Sequence, residues 1–372
     1  MSLFVGLISG TSMDGVDATL VDISDSDLAA ISSLTMPYTD TLRNELLNAI
    51  DPRYSGTLHD LATLDIEVGR AFATAAQQLL ENARINSDAV SAIGSHGQTL
   101  RHSPATNPAY SLQIGNGPTI AAITKIDTVC DFRGIDIACG GQGAPLVPAF
   151  HKWLFGDGIE TKVILNIGGI ANITVLSADP AIPFTGFDTG PGNCLMDEWC
   201  SKHLGIAFDH NGDWAKNGVV SELLLEFLAN EPYFTDTIPK STGREYFNLQ
   251  WLEKNLSNAA CNELSPADVQ ATLLALSITT ISAQIEQHAT GSSEVLVCGG
   301  GAFNQALMQG LQRAMSDKKV TSTSEYGVDP AMIEAAAFAW FAHCRVNQIS
   351  VALTTQQTPQ QLILGAHHIA PT

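Results

Sequence analysis

The chain opens with short apolar runs separated by polar turns. Residues 3–8 are apolar, and apolar runs return at 16–23 and 31–36. Short apolar runs bounded by turn residues are typical of buried strands, so this segment predicts a three-stranded meander. Helical spacing of apolar residues then predicts helices over 41–50 and 58–82. The other strands predicted in this half lie at 89–95, 111–114 and 126–130.

The second half repeats this order of elements. Its predicted strands lie at 162–167, 170–176, 185–188, 294–298 and 320–322, and its predicted helices at 193–204, 221–228, 266–288, 302–315 and 330–346. Each half begins with a strand, a glycine turn and a returning strand, although the residues hardly match. A chain of 372 residues is long enough for two domains. The pattern predicts domains over 1–155 and 156–346, and leaves open whether the tail at 347–372 packs back on the first.

Composition and charge restrict the partners of this protein. The formal net charge is −20 and the densest basic spot is Lys318-Lys319, which argues against binding to nucleic acid. An anionic ligand therefore needs backbone N–H groups, a metal ion or a few well-placed cations. Seven cysteines without a C-x-x-C pair suit neither a zinc site nor a disulfide framework. With no visible signal peptide and no apolar segment long enough to cross a bilayer, the sequence predicts a cytoplasmic protein.

Three glycine turns follow predicted strands, at 9–15, 168–172 and 299–304. Glycine lets backbone N–H groups approach an anion closely, and neighbouring carboxylates suit a phosphate that carries Mg²⁺. Each turn alone could be an ordinary hairpin turn, but three together predict a phosphate site, at which Asp14 and Asp17 suit a phosphate that carries Mg²⁺. The P-loop and dinucleotide-binding glycine patterns are absent. The predicted ATP and phosphate contacts are Gly10, Thr11, Ser12, Met13, Asp14, Gly15, Val16, Asp17, Gly168, Gly169, Asn172, Gly299, Gly300, Gly301 and Asn304.

Asp188 is the residue that the sequence favours for proton chemistry. It ends an apolar strand and is followed by Thr189-Gly190-Pro191-Gly192, a turn that opens a helix. A carboxylate at such a strand end can act as a general base. The alternative is that Asp188 only caps the helix or stabilises the turn.

Five further polar residues are predicted to contact the substrate. Arginine can bind a carboxylate or phosphate bidentately, although a structural salt bridge to a neighbouring aspartate is an equal alternative for Arg133. A buried, hydrogen-bonded histidine is the alternative for His96, and interaction with the helix dipole is the alternative for Glu334. The predicted substrate contacts are His96, Gln98, Arg133, Arg244 and Glu334.

These segments together resemble the anhydro-N-acetylmuramic acid kinase family. The matching motifs are GTSMDGVD (10–17), SHGQT (95–99), DFRGIDIACGGQGAPLVP (131–148), NIGGIAN (166–172), FDTGPGN (187–193), STGREYF (241–247), CGGGAFN (298–304) and DPAMIEAAAFAW (329–340). They occur in order over nearly the whole chain.

The resemblance implies an α/β fold of two RNase-H-like domains, as in the actin/hexokinase/Hsp70-like superfamily, with an interdomain active-site cleft. It implies a phosphotransferase with an alcohol group as acceptor, which uses ATP and Mg²⁺. Such an enzyme opens 1,6-anhydro-N-acetylmuramic acid hydrolytically and phosphorylates O6, giving N-acetylmuramic acid 6-phosphate and ADP in cell-wall recycling. The resemblance leaves a homodimer open.

One feature departs from the superfamily pattern, and two rival functions are considered. Superfamily phosphate loops usually carry an aspartate on the first strand of each domain, whereas residues 6–12 hold no carboxylate and Asn166 stands at the second position. The metal is therefore expected to be held by other groups, with Asp14 as the first candidate, or chiefly by ATP and water. One rival is a superfamily phosphotransferase that acts on a different sugar or on a carboxylate. The other is a nucleotide-regulated binding protein, for which the residues after Val346 are too few to form a peptide-binding domain.

Overall fold

A computed structural model describes residues 2–10, 12–24, 27–51, 53–179, 181–238, 240–259, 261, 263–354 and 360–371. The chain divides into two compact units. The first contains residues 1–154 and 332–372, and the second contains residues 155–331.

The first unit is built on a mixed sheet. Strands β1, β2 and β3 form an antiparallel meander, and β4 and β6 extend it in parallel on the other side of β1. The strand order is β3-β2-β1-β4-β6-β14, with β5 paired to β4. The strands of this sheet are β1 (Ser2–Ser9), β2 (Gly15–Ile23), β3 (Leu28–Pro37), β4 (Val90–Ser103), β5 (Tyr110–Ile114), β6 (Thr128–Cys130) and β14 (Ala366–His368). Strands β12 (Val351–Leu353) and β13 (Gln360–Leu362) form a separate antiparallel pair.

Helices pack on this sheet, and the first two of them begin with N-capping residues. Thr39 caps α1, and Thr57 and Asp60 form a capping box at the start of α2. The apolar face of α2, including Val68, Phe72 and Leu79, is fully buried in the core. The helices of this unit are α1 (Asp40–Ile50), α2 (Leu58–Ala83), α3 (Gly117–Thr124), α4 (Gly134–Ala138), α5 (Val147–Phe155), which ends at the start of the second unit, and α11 (Ile333–Val346).

The second unit repeats the sheet topology with other residues. Strands β7, β8 and β9 form the antiparallel meander, and β10 and β11 continue in parallel beyond β7. The order is β11-β10-β7-β8-β9. The strands are β7 (Lys162–Ile167), β8 (Ile170–Leu176), β9 (Thr185–Pro191), β10 (Glu294–Cys298) and β11 (Lys319–Ser322), and the helices are α6 (Cys194–Leu204), α7 (Glu222–Ala229), α8 (Leu249–Asn258), α9 (Pro266–His288) and α10 (Gln305–Ala314).

The same strand order in both units confirms the predicted fold class. Each unit has three antiparallel strands and then two parallel strands beside the first, which is the RNase-H-like arrangement. The sequence suggested this duplication because short apolar runs and glycine turns recur in the same order in both halves. No helix in the described part of the chain is long and apolar enough to span a membrane.

Helix α11 lies in the first unit, whereas the sequence prediction had assigned it to the second. It packs on β1 and β4, where Gly6 and Gly94 face its backbone. A Cβ atom at Gly6 would overlap the carbonyl oxygen of Ala335, and one at Gly94 would overlap that of Phe338. Two glycines therefore allow the helix to approach the sheet closely. Strand β14 pairs with β6, so this part of the tail also lies on the first unit.

Several element predictions differ from the structure. Strand β4 continues through His96 to Ser103 rather than ending at residue 95, because β5 pairs with this segment. Helix α10 begins at Gln305 rather than 302, with Asn304 as its N-cap, since a short 3₁₀ turn occupies Gly300–Phe303. Helix α11 likewise follows a 3₁₀ turn at Pro330–Met332. Helices α3, α4, α5 and α8 and strands β12 to β14 were not predicted.

Candidate active site

The glycine turn of the first unit links β1 to β2. The amide of Met13 donates to the carbonyl oxygen of Gly10 over 3.2 Å, and Met13 has a φ of 51° with its side chain in the core. Gly15 and Val16 are buried at the start of β2, so the accessible part of the turn is Gly10, Ser12 and Asp14. The predicted contact Thr11 lies outside the described residues. The phosphate role of the turn stays a prediction.

The two aspartates of this turn have different surroundings. Asp14 is exposed, and Nη2 of Arg43 lies 3.3 Å from its Oδ1. Asp17 is half-buried and accepts a hydrogen bond of 2.6 Å from Oγ1 of Thr35. Burial raises the pKa of the Asp17 carboxyl, and the charge of Asp14 adds to the effect. Within the described ranges, no three His, Cys, Asp or Glu side chains are grouped to hold a metal ion, so Asp14 as metal ligand stays a prediction.

Arg133 and His96 form a fixed pair in the first unit. Nε and Nη2 of Arg133 lie 3.1 and 2.9 Å from Nε2 of His96, and Nη1 donates to the carbonyl oxygen of Gly143 over 2.9 Å. Nδ1 of His96 lies 3.1 Å from the carbonyl oxygen of Gly97. Burial and the neighbouring guanidinium lower the pKa of His96 to about 3. His96 is therefore neutral, with the proton on Nδ1 and Nε2 as acceptor.

Glu334 and Gln98 lie in the same unit as this pair. Desolvation raises the pKa of Glu334, and repulsion by Asp17 adds to this, whereas attraction by Arg133 opposes it. Gln98 is buried, its Nε2 donates to the carbonyl oxygen of Thr99 over 3.3 Å, and its Oε1 accepts no hydrogen bond from the residues that the structure describes. The structure thus brings Asp17 and Arg133 within electrostatic range of Glu334.

In the second unit, the start of α6 holds the glycine turn 168–169. The amides of Gly192 and Cys194 donate to the carbonyl oxygen of Gly169 over 2.9 and 3.0 Å, and the amide of Asn193 donates to that of Gly168 over 2.9 Å. A Cβ atom at Gly192 would lie 2.5 Å from the carbonyl oxygen of Gly168. The FDTGPGN segment therefore fixes the turn through its backbone, and Gly192 allows the close approach.

Asp188 lies on β9, opposite Asn172 on β8. The amide of Thr242 donates to Oδ2 of Asp188 over 3.0 Å. The hydroxyl of Tyr233 donates to the carbonyl oxygen of Asp188 over 2.9 Å, and the amide of Asp188 donates to that of Lys240 over 3.0 Å. Burial raises the pKa of Asp188 to about 6, while the Thr242 hydrogen bond opposes this and Glu245 adds to it. Because α6 begins only at Cys194, Asp188 is not its N-cap.

Arg244 lies against the same glycine turn. A Cβ atom at Gly169 would be 2.7 Å from Nε and 2.8 Å from Nη2 of Arg244, so only glycine leaves room for the guanidinium there. The charge of Arg244 also acts on Asp197, in the first turn of α6. Sequence reasoning placed Arg244 at the substrate. Its guanidinium lies beside Gly169, in a predicted phosphate turn. The role of Arg244 at the substrate stays a prediction.

A cavity of about 480 Å³ lies next to the third glycine turn. Gly299 has a φ of 78°, and Gly301 packs on Ile167. The lining residues are Asn193, Met196, Asp197, Phe208, Asp209, His210, Asn211, Gly300, Phe303 and Asn304. Only Gly300 and Asn304 were predicted among them. The sequence does contain a signal for Asp197, because this residue lies one helical turn after the FDTGPGN motif on a predicted helix.

Comparison with known proteins identifies the family of this chain. The sequence profile of the anhydro-N-acetylmuramic acid kinase family matches residues 2–370. The chain belongs to this family. It is 49% identical to the anhydro-N-acetylmuramic acid kinase of Photobacterium profundum, over 91% of each chain. It is 45% identical to that of Aliivibrio fischeri, over 93% of each, and 44% identical to that of Saccharophagus degradans, over 98% of each.

Solved structures offer only distant matches. The activator of the 2-hydroxyisocaproyl-CoA dehydratase from Clostridium difficile, with bound ADPNP, aligns with a TM-score of 0.47 and 10% identity over 93% of this chain and 96% of that one. The ROK hexokinase from Thermus thermophilus aligns with a TM-score of 0.38 and 13% identity over 92% of this chain and 99% of that one. The fold assignment therefore rests on the strand order of the two sheets.

Proposed function

We propose that this protein uses ATP to convert 1,6-anhydro-N-acetylmuramic acid into N-acetylmuramic acid 6-phosphate and ADP. Family membership supports the substrate, since the relatives are anhydro-N-acetylmuramic acid kinases at 44–49% identity. The observation that carries the mechanism is Asp188, whose pKa is raised to about 6 by burial and whose carboxylate is oriented by the Thr242 amide. A base with this pKa is largely ionised at neutral pH and still accepts a proton readily.

The reaction then needs one base and one phosphoryl donor. Asp188 takes a proton from a water molecule, whose oxygen forms a bond to C1 of the sugar as the C1–O6 bond breaks. The electron pair of that bond stays on O6, which attacks the γ-phosphorus of ATP as the bond to ADP breaks. No separate acid has to protonate O6, because the phosphoryl group replaces the proton. Asp188 later returns its proton to solvent.

Arg133 is suited to bind the lactyl carboxylate of the substrate. A guanidinium has five N–H donors. Three of them point at His96 and Gly143, so one N–H remains on each terminal nitrogen. Two N–H groups on adjacent nitrogens match the two oxygens of a carboxylate. His96 is neutral and accepts from Arg133, and it therefore holds the guanidinium in place without adding charge. Glu334 and Gln98 are proposed to contact the sugar hydroxyls.

The nucleotide is proposed to lie on the second unit. The Gly168 amide donates to the carbonyl oxygen of Ile170 over 3.2 Å, so the turn at 168–169 offers the Gly169 N–H and, with Arg244 against it, a cation for phosphate. The cavity beside Gly300 has aromatic walls from Phe208 and Phe303, which suit a purine base. The predicted turn at Gly10 would supply further N–H groups. Mg²⁺ would neutralise phosphate charge, and it commonly keeps several waters and takes few protein ligands.

Isotope labelling tests this proposal. The protein is incubated with ATP, Mg²⁺ and the anhydro sugar in H₂¹⁸O, quenched early, and the product is analysed by mass spectrometry. We expect one ¹⁸O atom at the C1 hydroxyl and none in the phosphate. Unlabelled product incubated alone in H₂¹⁸O corrects for exchange at the anomeric centre. A phosphorylated sugar with an intact ring, or turnover only with another sugar or a carboxylate offered in parallel, would overturn the proposal. A cytoplasmic location remains part of the proposal.

A further inference from the structure

The cavity in the second unit contains one carboxylate that its surroundings do not engage. Asp197 lines the cavity from the first turn of α6. Within the part of the chain that the structure describes, its backbone amide donates to Asn193, but its carboxylate oxygens accept no hydrogen bond. Partial burial of a carboxylate that accepts no hydrogen bonds costs desolvation free energy. We therefore expect a ligand to supply the missing donors.

The other polar side chains of the cavity are engaged. Asp209 accepts from the amides of Trp214 and Ala215 over 2.8 and 2.9 Å, so it supports the loop that carries it. Oδ1 of Asn304 accepts from the amide of Leu307 over 3.2 Å. Nδ2 of Asn193 donates to the carbonyl oxygen of Ile167 over 3.2 Å. These hydrogen bonds leave Asp197 as the strongest acceptor directed at a cavity occupant.

The surroundings of Asp197 limit which chemical group of a ligand can face its carboxylate. Burial raises the pKa of Asp197 to about 7, attraction by Arg244 opposes this, and the charges of Glu198 and Asp209 add to it. Arg244 lies against Gly169, the phosphate turn, whereas Phe208 and Phe303 form the aromatic part of the cavity. A carboxylate repels phosphate. Among the parts of a nucleotide, a neutral hydrogen-bond donor is therefore the group that suits Asp197.

We propose that Asp197 accepts hydrogen bonds from the 2′- and 3′-hydroxyls of the nucleotide ribose and thereby selects ribonucleotides over deoxyribonucleotides. A vicinal diol offers two donors, and a carboxylate offers two oxygens at matching separation. The same pairing of an acidic side chain with a ribose hydroxyl occurs in dinucleotide-binding folds. This inference rests on the proposed function, since it requires a bound nucleotide.

Nucleotide affinities measured by calorimetry test the proposal. The probes are ATP, 2′-deoxy-ATP and 3′-deoxy-ATP, each with Mg²⁺ and in EDTA. For the unsubstituted protein we expect ATP to bind at least about tenfold more tightly than either deoxy analogue. In D197N the affinity for ATP falls by about 10- to 100-fold, and the three nucleotides bind within about twofold of one another.

A matched control is D213N, which removes an exposed carboxylate that pairs with Lys216 and does not line the cavity. It should leave all three affinities unchanged. Equal affinity of the unsubstituted protein for the three nucleotides would overturn the inference without any variant, while leaving the proposed function intact. An effect of D197N that disappears in EDTA would make Asp197 a metal ligand and would also overturn it. If ATP does not bind at all, both the inference and the proposed function fail.

Discussion

The backbone amide of Thr242 donates a hydrogen bond to Oδ2 of Asp188 over 3.0 Å. Burial raises the pKa of Asp188 to about 6, and this hydrogen bond opposes the rise. Two effects of opposite sign therefore act on one carboxyl. Without the amide the group would hold its proton more tightly, and without the burial it would be a weaker base. The amide also leaves Oδ1 as the oxygen available to a water molecule.

Removal of this base should abolish most turnover. In D188N the amide oxygen still accepts from Thr242, so the backbone geometry is preserved, but the side chain can no longer take a proton. We expect kcat to fall by at least about 10²-fold, with ATP affinity within about twofold of the parent. Coupled detection of ADP gives kcat, and calorimetry gives the affinity. D213N serves as the control with unchanged kcat, and near-normal turnover of D188N would remove Asp188 from the mechanism.

The pH dependence of kcat/KM should show the ionisation of the Asp188 carboxyl group. Because Asp188 must be ionised to accept a proton, kcat/KM should be flat above pH 7 and should fall about tenfold per pH unit below pH 6. The pKa of about 6 sets this position, whereas an ordinary aspartate with a pKa of 3.8 would keep the rate constant to pH 5. Initial rates between pH 4.5 and 8.5 test it, with the protein shown to be folded at each pH. A profile that stays flat down to pH 4.5 would contradict the assignment.

The raised pKa also predicts that D188N is more stable than the parent at neutral pH. A carboxyl that binds its proton more tightly in the folded state loses folding free energy on ionisation, so the parent is destabilised as the pH rises from about 4 to above 6. The shift from 3.8 to about 6 corresponds to an upper limit of about 3 kcal/mol, which solvent screening reduces. Urea unfolding should show the gain of D188N at pH 7.5 and its loss at pH 4. A constant difference between the two proteins at both pH values would contradict this.

Most of the fold could be predicted from the sequence because its signals are local. The meanders β1–β3 and β7–β9 are short apolar runs between turn residues, and α2 has a continuous apolar face. Two predictions were wrong for reasons outside the local sequence. Strand β4 continues past Gly97 because β5 supplies hydrogen bonds, and α11 belongs to the first unit because Gly6 and Gly94 admit its backbone. Neither partner can be recognised from periodicity.

The candidate site was predictable only in part. Asp188 stood out because it ends an apolar strand, but its partner Thr242 lies 54 residues further along the chain. Sequence reasoning also weighed salt bridges to Asp131 or Asp136 for Arg133, whereas the hydrogen bonds of its guanidinium go to His96 and Gly143. The cavity around Asp197 combines three separate segments, at 193–197, 208–211 and 300–304, so no single motif predicts it.

The planar geometry of the Arg133 guanidinium should contribute more to substrate binding than its positive charge does. In R133K the charge is kept, but a lysine cannot contact His96, Gly143 and a carboxylate in one plane. We expect KM for 1,6-anhydro-N-acetylmuramic acid to rise by about tenfold or more, with little change in KM for ATP. The anhydro sugar that lacks the lactyl group tests the cause. Parent and R133K should use this analogue with similar kcat/KM, and an equal loss with both sugars would show a structural effect instead.

Close packing of α11 on β1 should make the protein sensitive to any side chain at Gly6. At Gly6, a Cβ atom would overlap the carbonyl oxygen of Ala335 and lie 2.8 Å from the amide nitrogen of Ala339. Both neighbours are backbone atoms of a helix, so they cannot rotate away, and the whole helix must shift. We expect G6A to lower the free energy of unfolding by about 3 kcal/mol or more. The control is G158A, where no atom lies within 4 Å and only the φ of 69° is strained, at about 1–2 kcal/mol. Equal losses in G6A and G158A, measured by urea unfolding, would show that α11 does not depend on the missing side chain.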